Sequence, residues 1–196
     1  MSRAMMMATA LWAGSLAIGI AALAHYQGAP GAQAAPPAEL PAIPGVRSTP
    51  GAHTLILAIH PHCPCSHASA AELERLLSEL RRRGISAPEV YALIYRPSYA
   101  DDPWVDSGLR DRLAAIQGMS LIDDPDGVHG ASIGALTSGH AVLFDPGNRP
   151  LYRGGITAAR GHEGDNVGKL ALLDHLDGRR GSQMEAVYGC PLDETD

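Results

Sequence analysis

Only one phenylalanine occurs in 196 residues, and aromatics make up 5% of the chain. A core must therefore be built mainly from Leu, Ile, Val and Ala. Basic residues are also in the minority, 15 Lys and Arg against 21 Asp and Glu, for a formal net charge of −6. That balance argues against a nucleic-acid partner, which needs a basic face. Fingerprints of common enzyme classes are missing. No G-x-S-x-G, P-loop or dinucleotide glycine pattern occurs, and Ser66, Ser69 and Ser138 form no hydrolase arrangement. Asp123, Asp124 and Asp126 lack the glycine and distal glutamate spacing of an EF-hand and read as a turn. Cysteine is scarce too. Cys63, Cys65 and Cys190 are the three present, so one thiol is left over if one disulfide forms. What remains, 45% hydrophobic and 18% charged, is a globular balance in one domain of ordinary size plus a tail.

Charge is absent from Met5 to Ala24, "MMMATALWAGSLAIGIAALA". That matches the roughly 20 apolar residues a membrane-spanning helix needs. Arg3 is the only charge before it, which keeps the N-terminus in the cytoplasm and places the rest outside, on the periplasmic side. A cleaved signal peptide competes, because Ala22 to Ala24 fit a small-residue cleavage pattern. The length of the run favours an uncleaved anchor. No cysteine follows it, so a lipoprotein anchor is not expected. Residues 1–26 are thus an anchor or signal segment. Residues 27–52, rich in Pro, Ala and Gly without a hydrophobic period, read as a linker. The folded domain is expected over 53–196.

Within it, "HTLILAIH" (53–60) is a short buried strand. Leu73, Leu76, Leu77 and Leu80 then make a helix stripe, with Ser66 as the expected N-cap and Gly84 as the stop after Arg81 to Arg83. "EVYALIYR" (89–96) is a second strand. Residues 101–118 read as a helix capped by Asp102 or Ser107. "SLIDD" is a third strand, and "DGVHGASIGAL" a turn or one irregular helix. "HAVLFD" and "PLYRGGI" flank the turn "DPGNR" as an antiparallel hairpin. "DNVGKLALLDHLDG" closes the domain as a helix capped by Asp165 or Asn166. The order predicts an α/β fold, a mixed central sheet with helices on both faces.

"LILAIHPHCPCSHASAAELERLL" places Cys63 and Cys65 where a buried strand ends and a helix begins. It resembles the strand, active-site and helix segment of thioredoxin-like proteins. "DPDGVHGASIGALTSGHAVLFDPGNRPLYRGGIT" resembles the later part of exported, membrane-anchored members of the TlpA kind. "HPHCPCS", "TSG", "GGIT", "RGHEGDN" and "YGCPL" together resemble the RedB-type group, over roughly residues 53–192. The resemblance implies a thioredoxin-like fold. It puts Cys63 at the nucleophile position and Ser66 where the second cysteine of Cys-x-x-Cys normally sits, with Cys65 an extra thiol. The position of the usual cis-proline falls on Gly139. Thr137, Ser138 and Gly139 are then the loop facing the partner.

Three uses of the cysteines compete. In the first, thiol–disulfide exchange on an exported thiol or disulfide protein, Cys63 attacks and Cys65 resolves. Pro64 sets the loop geometry, and a helix N-terminus with His62 favours the thiolate. No cofactor is required. A Cys63–Cys65 bond would close a small strained ring and be easily reduced. In the second, two thiolates and an imidazole hold Cu or Zn. Sco-type copper proteins share this fold, and His140 stands in roughly the region of their histidine. In the third, Cys190 bonds Cys63 or Cys65 as a staple, a common use of exported cysteines. Cys190 is also a candidate remote resolving thiol. His60 and His67 read as loop histidines, and "RGHEGDNVG" as a turn that caps the last helix.

Overall fold

The computed structural model describes residues 2–99 and 108–193. The first element is a helix, α1 (Arg3–Gly28), with none of its side chains buried. It is long and apolar enough to cross a membrane. The domain follows as β1 (Thr54–Ile59), α2 (Ser66–Arg83), β2 (Glu89–Arg96), α3 (Gly108–Ala114) and β3 (Met119–Pro125). After these come α4 (Val128–Ser132), β4 (His140–Phe144), β5 (Pro150–Gly155) and α5 (Val167–Leu176). The expected capping residues Asp102 and Ser107 lie outside the described residues.

The sheet order is β3-β2-β1-β4-β5. β1 runs parallel to β2 and β2 to β3, while β4 and β5 are antiparallel additions. β1 is central, so all six of its residues are buried. Alternation along it feeds two cores. Leu55, Leu57 and Ile59 meet the leucine stripe of α2 together with Leu172 and Leu173 of α5. Ile56 and Ala58 meet Phe144, Ile133, Leu192 and Ile43 on the other face.

Ile43 belongs to the segment read as a linker. That segment is tied along the domain. Gly31 donates to the Val187 carbonyl (2.8 Å), Ala34 to Gly134 (2.9 Å) and Leu40 to Asn148 (2.8 Å). Among the described residues, the second sheet face is covered by the short α4 and the C-terminal segment, and an apolar strap adds to them. Leu40, Ile43 and Val46 supply it. They recur every three residues, a spacing that follows neither a helix nor a strand, and a turn closed by Val46 N donating to Ile43 O (3.0 Å) folds Ile43 and Val46 onto the sheet.

Helix α2 starts one residue away from the expected register. Cys65 is the N-cap, without a side-chain capping bond, and Ser66 is already helical. Gly84 closes the helix in the left-handed conformation, as its position after the arginines predicts. Asn166 caps α5 through its Oδ1, which accepts from Lys169 N at 2.7 Å. Beyond α5, the chain returns along β5, pairing Met184 with Arg153, and then crosses to the loop before β4, pairing Pro191 with Thr137. This return path brings Cys190 beside Cys63.

Candidate functional site

β1 ends buried at Ile59, and two tight turns lead into α2. Cys63 N donates to the His60 carbonyl (3.1 Å), and Ser66 N to the Cys63 carbonyl (3.0 Å). Pro64 between them has no N–H to satisfy and holds its φ fixed. Cys63 is 2% exposed, while Cys65 and Cys190 are half-buried, and all three are free thiols.

The Cys63 sulfur is surrounded by donors. The backbone N–H of Cys190 donates to it at 3.4 Å. Burial pushes the Cys63 thiol up, but hydrogen bonds from the Cys190 thiol, Ser66 and the backbones of Cys190 and Cys65 win, and it lies below its ordinary value. A buried relay backs this up. His60 N donates to Ser138 Oγ (2.8 Å), which lies 2.6 Å from Ser66 Oγ. With Ser138 donating to Ser66, the Ser66 proton is directed at the Cys63 sulfur. Ser66 therefore acts on the nucleophile rather than capping the helix.

The other thiols are held protonated. Burial, the Cys63 charge and a hydrogen bond to Cys63 push Cys65 up, against Arg160 and the Gly161 N–H. Burial and the bond to Cys63 push Cys190 up to about 12, again against Arg160. One thiol is thus lowered while the two beside it are raised.

His62 is exposed, and its N–H donates to His60 Nδ1 (3.2 Å). The hydrogen bonds that lower the Cys63 thiol come from Cys190, Ser66 and Cys65 instead. His60 is buried and stacks on Tyr95, ring centroids 5.2 Å apart. His67 is exposed, with its carbonyl accepting from Arg112. Thr137, Ser138 and Gly139 are buried, and Ser138 is linked to the Cys63 surroundings through Ser66 and Cys190. Thr137 Oγ1 donates to the Ala32 carbonyl (2.7 Å), Ser138 N to Cys190 O (2.8 Å) and Gly139 N to Ala58 O (2.8 Å). The C-terminal segment thus occupies the edge of this loop.

Cys63, Cys65 and His140 are not brought together as a metal site. Among the described residues, no group of three His, Cys, Asp or Glu is placed to hold a metal ion. His140 pairs with Ala58 and shares its sheet face with Val142 and Phe144, opposite α2. It is fully buried, and burial, then Arg153, lower its imidazole to about 4. Neither ring nitrogen has a hydrogen-bond partner among the described residues.

One charged residue near the cysteines carried no signal in the sequence. Glu72 of α2 is completely buried and binds Lys169 Nζ (2.6 Å), Gly164 N (2.6 Å) and Asn166 Nδ2 (3.3 Å). Burial raises its carboxyl, but the Lys169 and Gly164 bonds outweigh that and leave it below the usual carboxylate range. This anchors the loop carrying Arg160 and Gly161 against Cys65. In the sequence, "RGHEGDN" is a polar turn, and only the fold shows which way it faces.

No protein-family model matches the chain, and no curated protein matches it. Among solved structures, it is similar to an uncharacterized conserved protein from Geobacillus kaustophilus. The two are 22% identical with a TM-score of 0.59, over 85% of this chain and 92% of that one. A hypothetical protein from Sinorhizobium meliloti 1021 matches at 19% identity and TM-score 0.56, over 86% and 94%. A secreted Mycobacterium tuberculosis disulfide oxidoreductase homologous to E. coli DsbE matches at 14% and 0.44, over 65% and 82%. The parallel β1–β2–β3 unit, the antiparallel β4–β5 pair and helices on both faces decide the architecture. The chain has the thioredoxin-like fold. Within that fold the site departs from the usual one at Gly139. The residue is left-handed, with φ +87°, and no cis peptide bond occurs among the described residues.

Proposed function

We propose that this chain carries out thiol–disulfide exchange on an exported protein, as a membrane-tethered relative of the RedB and TlpA-like types. In this reading α1 is the anchor, residues 27–52 strap it to the domain, and residues 53–196 form the working unit on the periplasmic side. Cys63 attacks a partner disulfide as the thiolate. Cys65 resolves the mixed disulfide, with Cys190 as a second resolving thiol.

The observation that carries the reading is the convergence on one buried sulfur of the Cys190 N–H, the Cys190 thiol and Ser66. Structural cysteines have no need of a thiolate, whereas a nucleophile does. The test is disulfide mapping by mass spectrometry after equilibration in thiol redox buffers and acid quench. Exchange predicts that Cys63 interconverts between thiol and a bond to Cys65 or Cys190 at a mildly oxidising poise. A Cys63–Cys190 bond locked at every poise, or three thiols that never pair, overturns it.

A further inference from the structure

Arg160 is held from three sides. Its backbone N–H donates to the Gln27 carbonyl at the end of α1 (3.1 Å), and its guanidinium lies 4.8 Å over the Tyr26 ring. Its Nη1 donates to the carbonyl of Gly189, the residue before Cys190. The next residue, Gly161, turns its N–H to the Cys65 sulfur. The guanidinium is thus tied to the backbone next to Cys190, and its positive charge favours ionisation of both Cys65 and Cys190. Its Nε is buried and has no hydrogen-bond partner among the described residues. An unpaired donor on a buried charged group is costly, and a partner that forms during the reaction accounts for it.

We propose that Arg160 is the positioning residue for the second half of the exchange, stabilising whichever of Cys65 and Cys190 ionises to resolve the mixed disulfide. This rests on the exchange reading above. In the mixed disulfide, Cys63 is bonded to the partner's sulfur. The thiolate of Cys65 or Cys190 attacks the Cys63 sulfur, and the new protein disulfide forms. The bond to the partner breaks, and its electron pair leaves on the partner's sulfur, which takes up the proton that the resolving thiol has lost. The protein dithiol is oxidised, the partner disulfide is reduced, and no other reactant is consumed. The timing follows from charge. In the resting protein the Cys63 thiolate opposes ionisation of both neighbours. Once Cys63 is bonded to the partner it carries no charge, and the positive charge of Arg160 acts on the two thiols unopposed by it.

The full-length protein in detergent, reduced and mixed with glutathione disulfide, tests this by rapid acid quench and mass spectrometry. The readouts are the formation and the lifetime of the glutathione adduct on Cys63, as functions of pH. In Arg160→Gln, adduct formation should stay near the wild-type rate while resolution slows about tenfold and its pH profile moves up by about one unit, the equivalence expected for lost charge stabilisation. Arg160→Lys should recover most of the loss. Unchanged resolution in Arg160→Gln overturns the proposal. So does equal slowing of both steps that Lys does not rescue, because that is the signature of a purely structural arginine. A wild-type protein that forms no adduct, or never resolves it, instead sinks the exchange reading itself.

Discussion

The backbone N–H of Cys190 donates to the sulfur of Cys63 across 3.4 Å, although 127 positions separate the two in the chain. The bond comes from the peptide rather than the side chain, so it survives replacement of the Cys190 thiol. The last segment of the chain is thereby part of the nucleophile's environment. Ser138 N holds it there through the Cys190 carbonyl, and Leu192 N through the Leu136 carbonyl at 3.0 Å.

The proposed exchange gives one nucleophile, Cys63, two resolving thiols, so neither should be indispensable alone. Cys65→Ser and Cys190→Ser should each still turn over a model disulfide. The double variant should stop at the mixed disulfide, which accumulates as a stable adduct on Cys63. Non-reducing mass spectrometry reads this directly, and release from the double variant at the wild-type rate refutes the assignment.

Ser66 lowers the Cys63 thiol by directing its hydroxyl at the sulfur. Alkylation of Cys63 by iodoacetamide should show a pH midpoint below the ordinary 9.0. In Ser66→Ala the midpoint should rise by about one to two units, because a hydrogen bond to a charged acceptor contributes roughly 1.5–3 kcal/mol. Ser138→Ala should move it in the same direction and by less. A midpoint that does not respond to Ser66→Ala refutes the relay.

Gly139 stands where the resemblance puts a proline, yet proline cannot fit. A φ of +87° is closed to its ring, and the Gly139 N–H is bonded to Ala58 O. Gly139→Pro should therefore cost about 3 kcal/mol or more in denaturant unfolding rather than restore an ordinary site. Gly139→Ala should cost at least roughly 1–2 kcal/mol for the left-handed backbone. Its β-carbon would also sit 2.7 Å from Ser69 Oγ. A Pro variant as stable as wild type contradicts the geometry.

His140 folds neutral, with its imidazole at about 4 rather than 6.5. The unfolded chain binds the proton first as pH falls, so stability is full above 6.5 and is lost as pH drops through the interval down to about 4. The loss is roughly 3 kcal/mol by the pKa–energy equivalence. His140→Leu should remove most of this acid limb and leave neutral-pH stability equal or higher, since it deletes two unpaired buried nitrogens. Urea titrations at several pH values measure both. An unchanged acid limb in His140→Leu contradicts the assignment.

Much of the fold was legible because its signals are local. The apolar run of β1, the leucine stripe of α2, Gly84 as stop and the turn at Asp145 depend on neighbours a few residues away. The position of Cys63 and Cys65 between strand and helix followed from the same local reading. Ser66 misled for a related reason. A serine before a helix stripe is a good capping signal, but here the hydroxyl turns inward to Ser138, which no local pattern encodes. The strap was missed because Leu40, Ile43 and Val46 follow neither the helical nor the strand period.

From the sequence alone came the order of elements, the buried central strand and the placement of two thiols at a helix start. Short-range periodicity and capping chemistry are enough to specify those. Tertiary structure alone decided that Cys190 and Arg160 join the thiols and that His140 faces away from α2. Those placements depend on how the sheet orders its strands and on which face each side chain takes. That choice is made by burying both faces of the sheet at once, which no stretch of sequence does by itself.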